Sequence, residues 1–494
     1  MVEPVPIHAE DPLSLFESLS ERLGWKDHAV LLEGREGGWF DGRFSLLAGD
    51  PFGLFQSKGK ESRFDYFGGG KRETFSQNGD PLKHLQEWLD RFHNGRRSSP
   101  DAPSFQGAAI GFFSYDLIRQ WEIIPPPRHT NPTLPDIYLP FFNLFALFDH
   151  RQEVLHLVYD PAPLITMGES EASTLKEGKR KITALKESLL SPVSPKGGRP
   201  NPVSPEILSD LPRERYIKQV LQIKEYISAG DIFQANLSHR FRISSPSLSL
   251  LSISKRLRKI NPSPFSAYLE LGAIQIASNS PERLVRITSR EGRRIVDTRP
   301  IAGTRPRGKN KSEEEEMVRS LSSNEKERAE HLMLVDLERN DLGKVCRYGS
   351  IRVGPLMSLE KYSHVIHLVS NIEGELRPDI KCVDVIKALF PGGTITGVPK
   401  IRCMEILSEL EREARGIYTG SIGYLGFGGE IDLNIAIRTW IRQGEEMTFQ
   451  VGAGIVADSD PEKEYQETLQ KAAALIKAGG GVSGHPLQAG GEGL

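Results

Sequence analysis

Cysteine is scarce, with three in 494 residues: Cys346, Cys382 and Cys403. Scarcity on this scale excludes a disulfide-stapled scaffold and points to a reducing compartment, so the expected location is cytoplasmic. The three show no metal-ligand spacing, and none lies in the Gly-x-Cys-x-Gly elbow of a glutaminase. Long hydrophobic runs are missing too, which excludes a membrane span. The first residues, MVEPVPIHAEDP, are acidic and proline-rich and do not read as a secretory leader. An excess of either charge is also lacking. The formal net charge is −2, so no global field recruits nucleic acid or an anionic membrane, and any anion site must be built locally. Nucleotide fingerprints are absent. FPGGTITGVPK lacks the Gly-Lys-Ser/Thr ending of a phosphate loop, and GAGIVA lacks the third glycine and following helix of a dinucleotide site.

What remains is a globular composition, 38% hydrophobic and 26% charged, long enough for two or three domains or one composite one. Residues 1–190 are strand-rich: VLLEG, GWFDGRFSLLAGDPFGLF, DIYLPFFNLFALFDH and EVLHLVYD read as strands, PLKHLQEWLDRFH as a helix, and GAAIGFFSYDLIRQWE as a strand running into a helix. Residues 191–212 form a Ser/Pro/Gly-rich linker or surface loop. Residues 213–478 interleave strands and helices, and 479–494 form a glycine-rich tail read as disordered. No internal repeat is visible.

The most informative stretch is FQVGAGIVADSDPEKEYQETLQK, residues 449–471. It begins as a strand broken by Gly452 and Gly454, where backbone must approach something closely. Asp458, Ser459 and Asp460 supply a turn and a helix N-cap, and Pro461 suits the first helical position. Glu464, Glu467 and Lys471 then share one helix face. This is the pattern of a solvated face, and also of an anion site held through a hard cation, since magnesium takes carboxylate oxygens together with the ligand's own. Elsewhere, Glu282 follows a Ser-Pro turn into a strand. Gly303 and Thr304 sit in a tight bend among basic residues. Glu330 shares a helix face with Met333 and Leu334, where a part-buried carboxylate needs a partner. His367 lies on a strand, the usual place of a satisfied core histidine.

Read together, FQANLSHRF, SPERL, RPIAGTRPRG, RAEHLMLVDLERNDLG, HVIHLVS, PGGTITGVPK, GIYTGSIGY, IAIRT and GAGIVADSDPEKEYQETLQK resemble the chorismate-utilising enzymes. That family includes anthranilate synthase component I, aminodeoxychorismate synthase component I, and the isochorismate and salicylate synthases. The motifs run in the family's order across about residues 213–477, with a weaker likeness over most of the rest. The resemblance implies an α+β fold: two large antiparallel sheets packed as a sandwich, helices outside, the active site between them, and N-terminal strands built into the same sandwich. The many strands adjacent in sequence without an intervening helix argue for the same class.

By position, the resemblance implies that Glu330 and Glu467 hold Mg2+, with Glu464 acting through water, and that the ion grips the ring carboxylate of chorismate. Glu282 matches the general acid that protonates the departing C4 hydroxyl. That role needs a carboxyl kept protonated near neutral pH. His367 matches the histidine beside that hydroxyl. Tyr418, Arg438, Gly452 and Gly454 match the clamp on the enolpyruvyl carboxylate, where an arginine fork and bare backbone N–H groups suit a planar anion. Lys471 matches a lysine near the ring carboxylate, and Gly303, Thr304 and Thr394 match pocket-lining positions.

Within the family, the water-adding synthases use a lysine base where this chain has Gln234, so ammonia chemistry is expected. PGGTITGVPK, FQANLSHRF, GIYTGSIGY and GFFSYDL look like the aminodeoxychorismate branch. Ala302 stands where some members of that branch carry a lysine nucleophile, and an alanine cannot be one. Gly34 in VLLEG replaces the serine of tryptophan-regulated relatives, so tight feedback by tryptophan is not expected. The favoured expectation is amination of chorismate to 4-amino-4-deoxychorismate, with ammonia from a separate glutaminase subunit. The alternatives are anthranilate formation and a non-catalytic chorismate- or tryptophan-binding subunit.

Overall fold

The computed structural model describes residues 1–6, 11–25, 27–93, 107–190, 206–244, 248–361 and 365–481. Residues 191–205 of the expected linker and 482–494 of the expected tail fall outside them. The fold is α+β, built on two large sheets in which every paired strand is antiparallel.

Both sheets draw on both ends of the chain. In the first, of 12 strands, His28–Gly34 lies between Phe44–Gly49 and Phe265–Leu271, and the sheet continues to Glu446–Ile455 and Gln234–Ser244. In the second, of 11 strands, Ala108–Phe113 pairs with Ser421–Gly426. The N-terminal strands are thus shared between the sheets.

Side-chain alternation explains the layering. Val30, Leu32, Leu46, Ile110, Phe112, Ala267 and Ile276 meet in one cluster drawn from strands of both sheets, the filling of the sandwich. Their neighbours Ala29, Leu31, Leu47, Ala109 and Phe113 turn the other way and join Leu13, Phe16 and Leu19 of helix Pro12–Leu23 and Leu85, Leu89 and Phe92 of helix Pro81–Phe92. Strands covered on both faces have no polar side, which is why AAIGFF and the LFALF of Leu144–Asp149 are apolar without a break and buried throughout. Helices Pro12–Leu23 and Glu171–Leu190 were not legible in the first region, where strand signals dominate. Gly34 holds two strands close: a Cβ there would lie 2.0 Å from the carbonyl oxygen of Phe44.

A third sheet, of three strands, is an addition to the expected sandwich. It joins Ile301–Pro306, Ser358–Lys361 and Val365–Val369. Gly303 and Thr304 lie on the first of these, not in a tight bend. The register with Val365–Val369 shifts between Ala302 and Thr304, and Gly303 takes a φ of +73°, the left-handed turn that lets a strand bulge.

Candidate active site

The floor of the site is the pairing of Gln234–Ser244 with Glu446–Ile455, which sets Asn236 opposite Gly454 and Ser238 opposite Gly452. Both glycines are explained by space. A Cβ at Gly452 would lie 2.1 Å from Asn236 Oδ1 and 2.8 Å from the Tyr418 hydroxyl. At Gly454 it would lie 2.6 Å from Gln234 Nε2 and 3.6 Å from Glu330 Oε1. Four side chains from three parts of the chain therefore close on one bare stretch of strand.

Two helices bring the acidic groups. Asp460 caps helix Pro461–Gly479, with Pro461 in its first turn, as its sequence suggests. From this helix Lys471 Nζ donates to the Gly452 carbonyl at 2.9 Å and pairs with Glu467 at 2.8 Å. Glu464, one turn earlier, is buried and accepts from Ser459 Oγ at 2.6 Å. Helix Glu325–Gly343 presents Glu330, whose Oε1 accepts from Gln234 Nε2 at 2.6 Å. Glu330 thus borders Gly454, while Glu467 borders Gly452 through Lys471.

Among the described residues no three His, Cys, Asp or Glu side chains are grouped so as to hold a metal. Glu464 is turned to Ser459, which leaves Glu330 and Glu467 as the carboxylates at this end. Two carboxylates are a common magnesium donor set, because that ion keeps several waters and takes further oxygens from its ligand. The Lys471 ammonium already lies between a carboxylate and a carbonyl oxygen, so positive charge is accommodated here. The donor chemistry fits a hard divalent cation.

The other end of the site is dry. Ser280 Oγ donates to the Ile435 carbonyl at 2.6 Å and Ile435 N–H donates to the Glu282 carbonyl at 3.0 Å, pinning the turn before Glu282. The Glu282 carboxyl is buried, with the Ile301 N–H 3.5 Å away and the Thr394 hydroxyl and Arg438 as neighbours. Burial pushes its pKa up to about 7, against the opposing pull of Thr394, Ile301 and Arg438. Arg438 has a φ of +51°, unusual for a side-chain-bearing residue, and its Nη1 donates to Asn261 Oδ1 at 3.3 Å. His367 is buried, and its pKa falls to about 4: burial acts first, the Arg438 charge adds, and the Gly303 backbone opposes. Its imidazole is therefore neutral near pH 7. Ala302, also buried, lies between Ile301, which faces Glu282, and Gly303, which faces His367.

Thr394 joins the two ends: its side chain touches Glu282, and its carbonyl accepts from Asn236 Nδ2 at 3.4 Å. Glu282, His367, Thr394, Arg438 and Gly303 thus belong to one neighbourhood, continuous with Tyr418, Gly452, Gly454, Lys471, Glu330 and Glu467. Thr304 pairs with His367 in register, and its side chain lies outside the described residues.

Several residues of this neighbourhood escape sequence reasoning. Arg415 is buried and donates to the carbonyls of Asn236 at 2.6 Å and Ile395 at 2.9 Å while pairing with Glu411 at 2.7 Å. The two lie past the end of helix Lys400–Leu410, so a helical i,i+4 reading of their spacing does not describe the pair. Glu338, fully buried, accepts from Thr298 Oγ1 at 2.7 Å, and burial with the nearby Glu282 pushes its pKa up to about 8, against Thr298. Nothing in DLERNDLG distinguishes it from a surface acid. Asn236 sat in FQANLSHRF without an assigned role.

The family model of chorismate binding enzymes matches residues 39–477. The chain is 42% identical over 476 residues to aminodeoxychorismate synthase component 1 of Bacillus subtilis, covering 96% of this chain and 96% of the relative. It is 38% identical over 476 residues to anthranilate synthase component 1 of Acetivibrio thermocellus, covering 95% and 92%. The crystal structure of anthranilate synthase component I from Streptococcus pneumoniae TIGR4 superimposes with a TM-score of 0.74 at 34% identity, covering 88% of this chain and 92% of that one. With the family match spanning both sheets and the whole site, this chain belongs to the chorismate binding enzymes.

Proposed function

We propose that this chain aminates chorismate with ammonia to 4-amino-4-deoxychorismate, as the synthase subunit that works with a separate glutaminase. The observation that carries the choice of nucleophile is Gln234. Its amide caps Glu330 where a lysine base would be needed to activate water. An amide has no basicity to offer, so the nucleophile must bring its own lone pair, as ammonia does. Motif forms and the 42% identity to aminodeoxychorismate synthase component 1 support the C4 product.

In this reading Glu282 gives its proton to the C4 hydroxyl, which leaves as water. Ammonia forms the new C–N bond, and a proton from its nitrogen restores Glu282. A carboxyl with a pKa near 7 suits both halves of that exchange. Neutral His367 and Thr394 border the leaving group. Arg438 and Tyr418 take the enolpyruvyl carboxylate, and Lys471 lies by the ring carboxylate. Magnesium, held by Glu330 and Glu467 with Glu464 behind them, would supply charge to bind and orient the ring carboxylate.

Anthranilate formation is the second reading, favoured by Ala302 and by the 38% identity to an anthranilate synthase component 1. Incubation with chorismate, magnesium and an ammonium salt separates the two. Anthranilate is fluorescent at once, whereas aminodeoxychorismate yields aminobenzoate only after a lyase is added. Fluorescent product without the lyase rejects the first reading, and no magnesium-dependent turnover at all supports a non-catalytic subunit. Ala302→Lys should change the distribution of products or intermediates, and an unaltered profile shows that this position does not reach the ring.

A further inference from the structure

Two neighbouring amides in the site carry acceptors that no described residue satisfies. Gln234 and Asn236 are two apart on strand Gln234–Ser244, so their side chains share one face. The donor end of each is committed. Gln234 Nε2 donates to Glu330 Oε1 at 2.6 Å, and Asn236 Nδ2 to the Thr394 carbonyl at 3.4 Å. These bonds fix which way each amide faces, and the atom left over is the carbonyl oxygen. Gln234 Oε1 and Asn236 Oδ1 are both buried and have no hydrogen-bond partner among the described residues. Each such orphan costs about 1–3 kcal/mol, so two side by side mark a place completed by a ligand.

The backbone beneath is held firmly. The Gln234 carbonyl accepts from Cys403 Sγ at 3.0 Å, and the Asn236 carbonyl from buried Arg415 at 2.6 Å. The acceptors are therefore preorganised. Paired carbonyl oxygens cannot bind a carboxylate; they take an N–H or O–H donor or a cation. Gln234 meets the carboxylate of Glu330 through its nitrogen, so its oxygen is not the end turned to a cation held there. Chorismate has two carboxylates and one hydroxyl, and that hydroxyl belongs at Glu282. Ammonia is the remaining reactant, and it offers three N–H groups in a volume close to that of a water molecule. The Thr394 hydroxyl lies against Glu282 and extends the row toward the reacting carbon.

We propose that Gln234 Oε1 and Asn236 Oδ1 form the docking site for the ammonia nucleophile. This site rests on the ammonia-using reading above. Its test is steady-state kinetics on the full chain with chorismate, magnesium and ammonium chloride at fixed pH. Asn236→Leu keeps the shape and removes the acceptor. The KM for ammonium should rise by about 10-fold, the value of one lost hydrogen bond, with the KM for chorismate unchanged within about twofold. Gln234→Met, assayed in the same way, covers the case in which Asn236→Leu does not fold. An unchanged ammonium KM in both acceptor-free variants, or equal rises for ammonium and chorismate, overturns the site while leaving amination intact. A parent chain without ammonia-dependent turnover overturns the amination reading and this site with it.

Discussion

The two ends of the site are built on opposite principles. At one end Glu282 is buried against backbone, a threonine and an arginine, and burial lifts its carboxyl toward neutrality. At the other, Glu467 is half exposed beside the ammonium of Lys471, and Glu330 is held by an amide. The same side-chain type is set at one end to hold a proton and at the other beside an ammonium and an amide. Desolvation decides the first.

That contrast can be broken most severely at the cation-facing end. Glu330→Gln and Glu467→Gln keep shape and remove charge, and each should abolish turnover at any practical magnesium concentration. Near-normal rates in both discredit the metal assignment. At the dry end, Glu282→Gln should lower kcat by about 10²- to 10⁴-fold, the usual worth of a general acid. The acid works protonated, so the parent rate at saturating ammonia should fall as pH rises through about 7, and this limb should vanish in the variant. A pH–rate profile for each decides the point.

Between the ends, Gly452→Ala should displace Asn236 or Tyr418, since its methyl would meet both within 3 Å. Thermal unfolding should show a loss of about 1–3 kcal/mol, as overpacking usually costs, alongside weakened chorismate binding. The effect least tied to turnover lies in Glu338, buried beside Glu282. Glu338 binds its proton more tightly when folded, with a pKa near 8, than when unfolded, near 4.5. The parent chain should therefore lose stability relative to Glu338→Gln as pH rises from 4.5 to 8. Denaturant midpoints for both across that window test the sign.

The division between ends also separates what was legible in the chain. Glu282, His367 and the 449–471 stretch sit in local patterns that survive as short strings, and the motifs carried them. The α+β class followed from uninterrupted apolar strands with few helices between them. Glu338, Arg415 and the orphaned oxygens of Gln234 and Asn236 were out of reach. Their roles depend on what folds against them, and a glutamate on a helix reads alike whether it faces Thr298 or water. Gly303 was misjudged for a related reason. A bulge and a tight bend ask for the same positive φ, and only the partner strand tells them apart.

Strand His28–Gly34 finds its neighbour in Phe265–Leu271, and Ala108–Phe113 finds its own in Ser421–Gly426. On the ribosome the early strands must therefore wait for the late ones, for tens of seconds at about 5–20 residues per second. Until then their unpaired edges are exposed to aggregation and to chaperones alike. The catalytic half cannot be borrowed as a freestanding module, because cutting near residue 190 would remove a contiguous run of strands from one end of each sheet and leave Phe265–Leu271 and Ser421–Gly426 as bare edges.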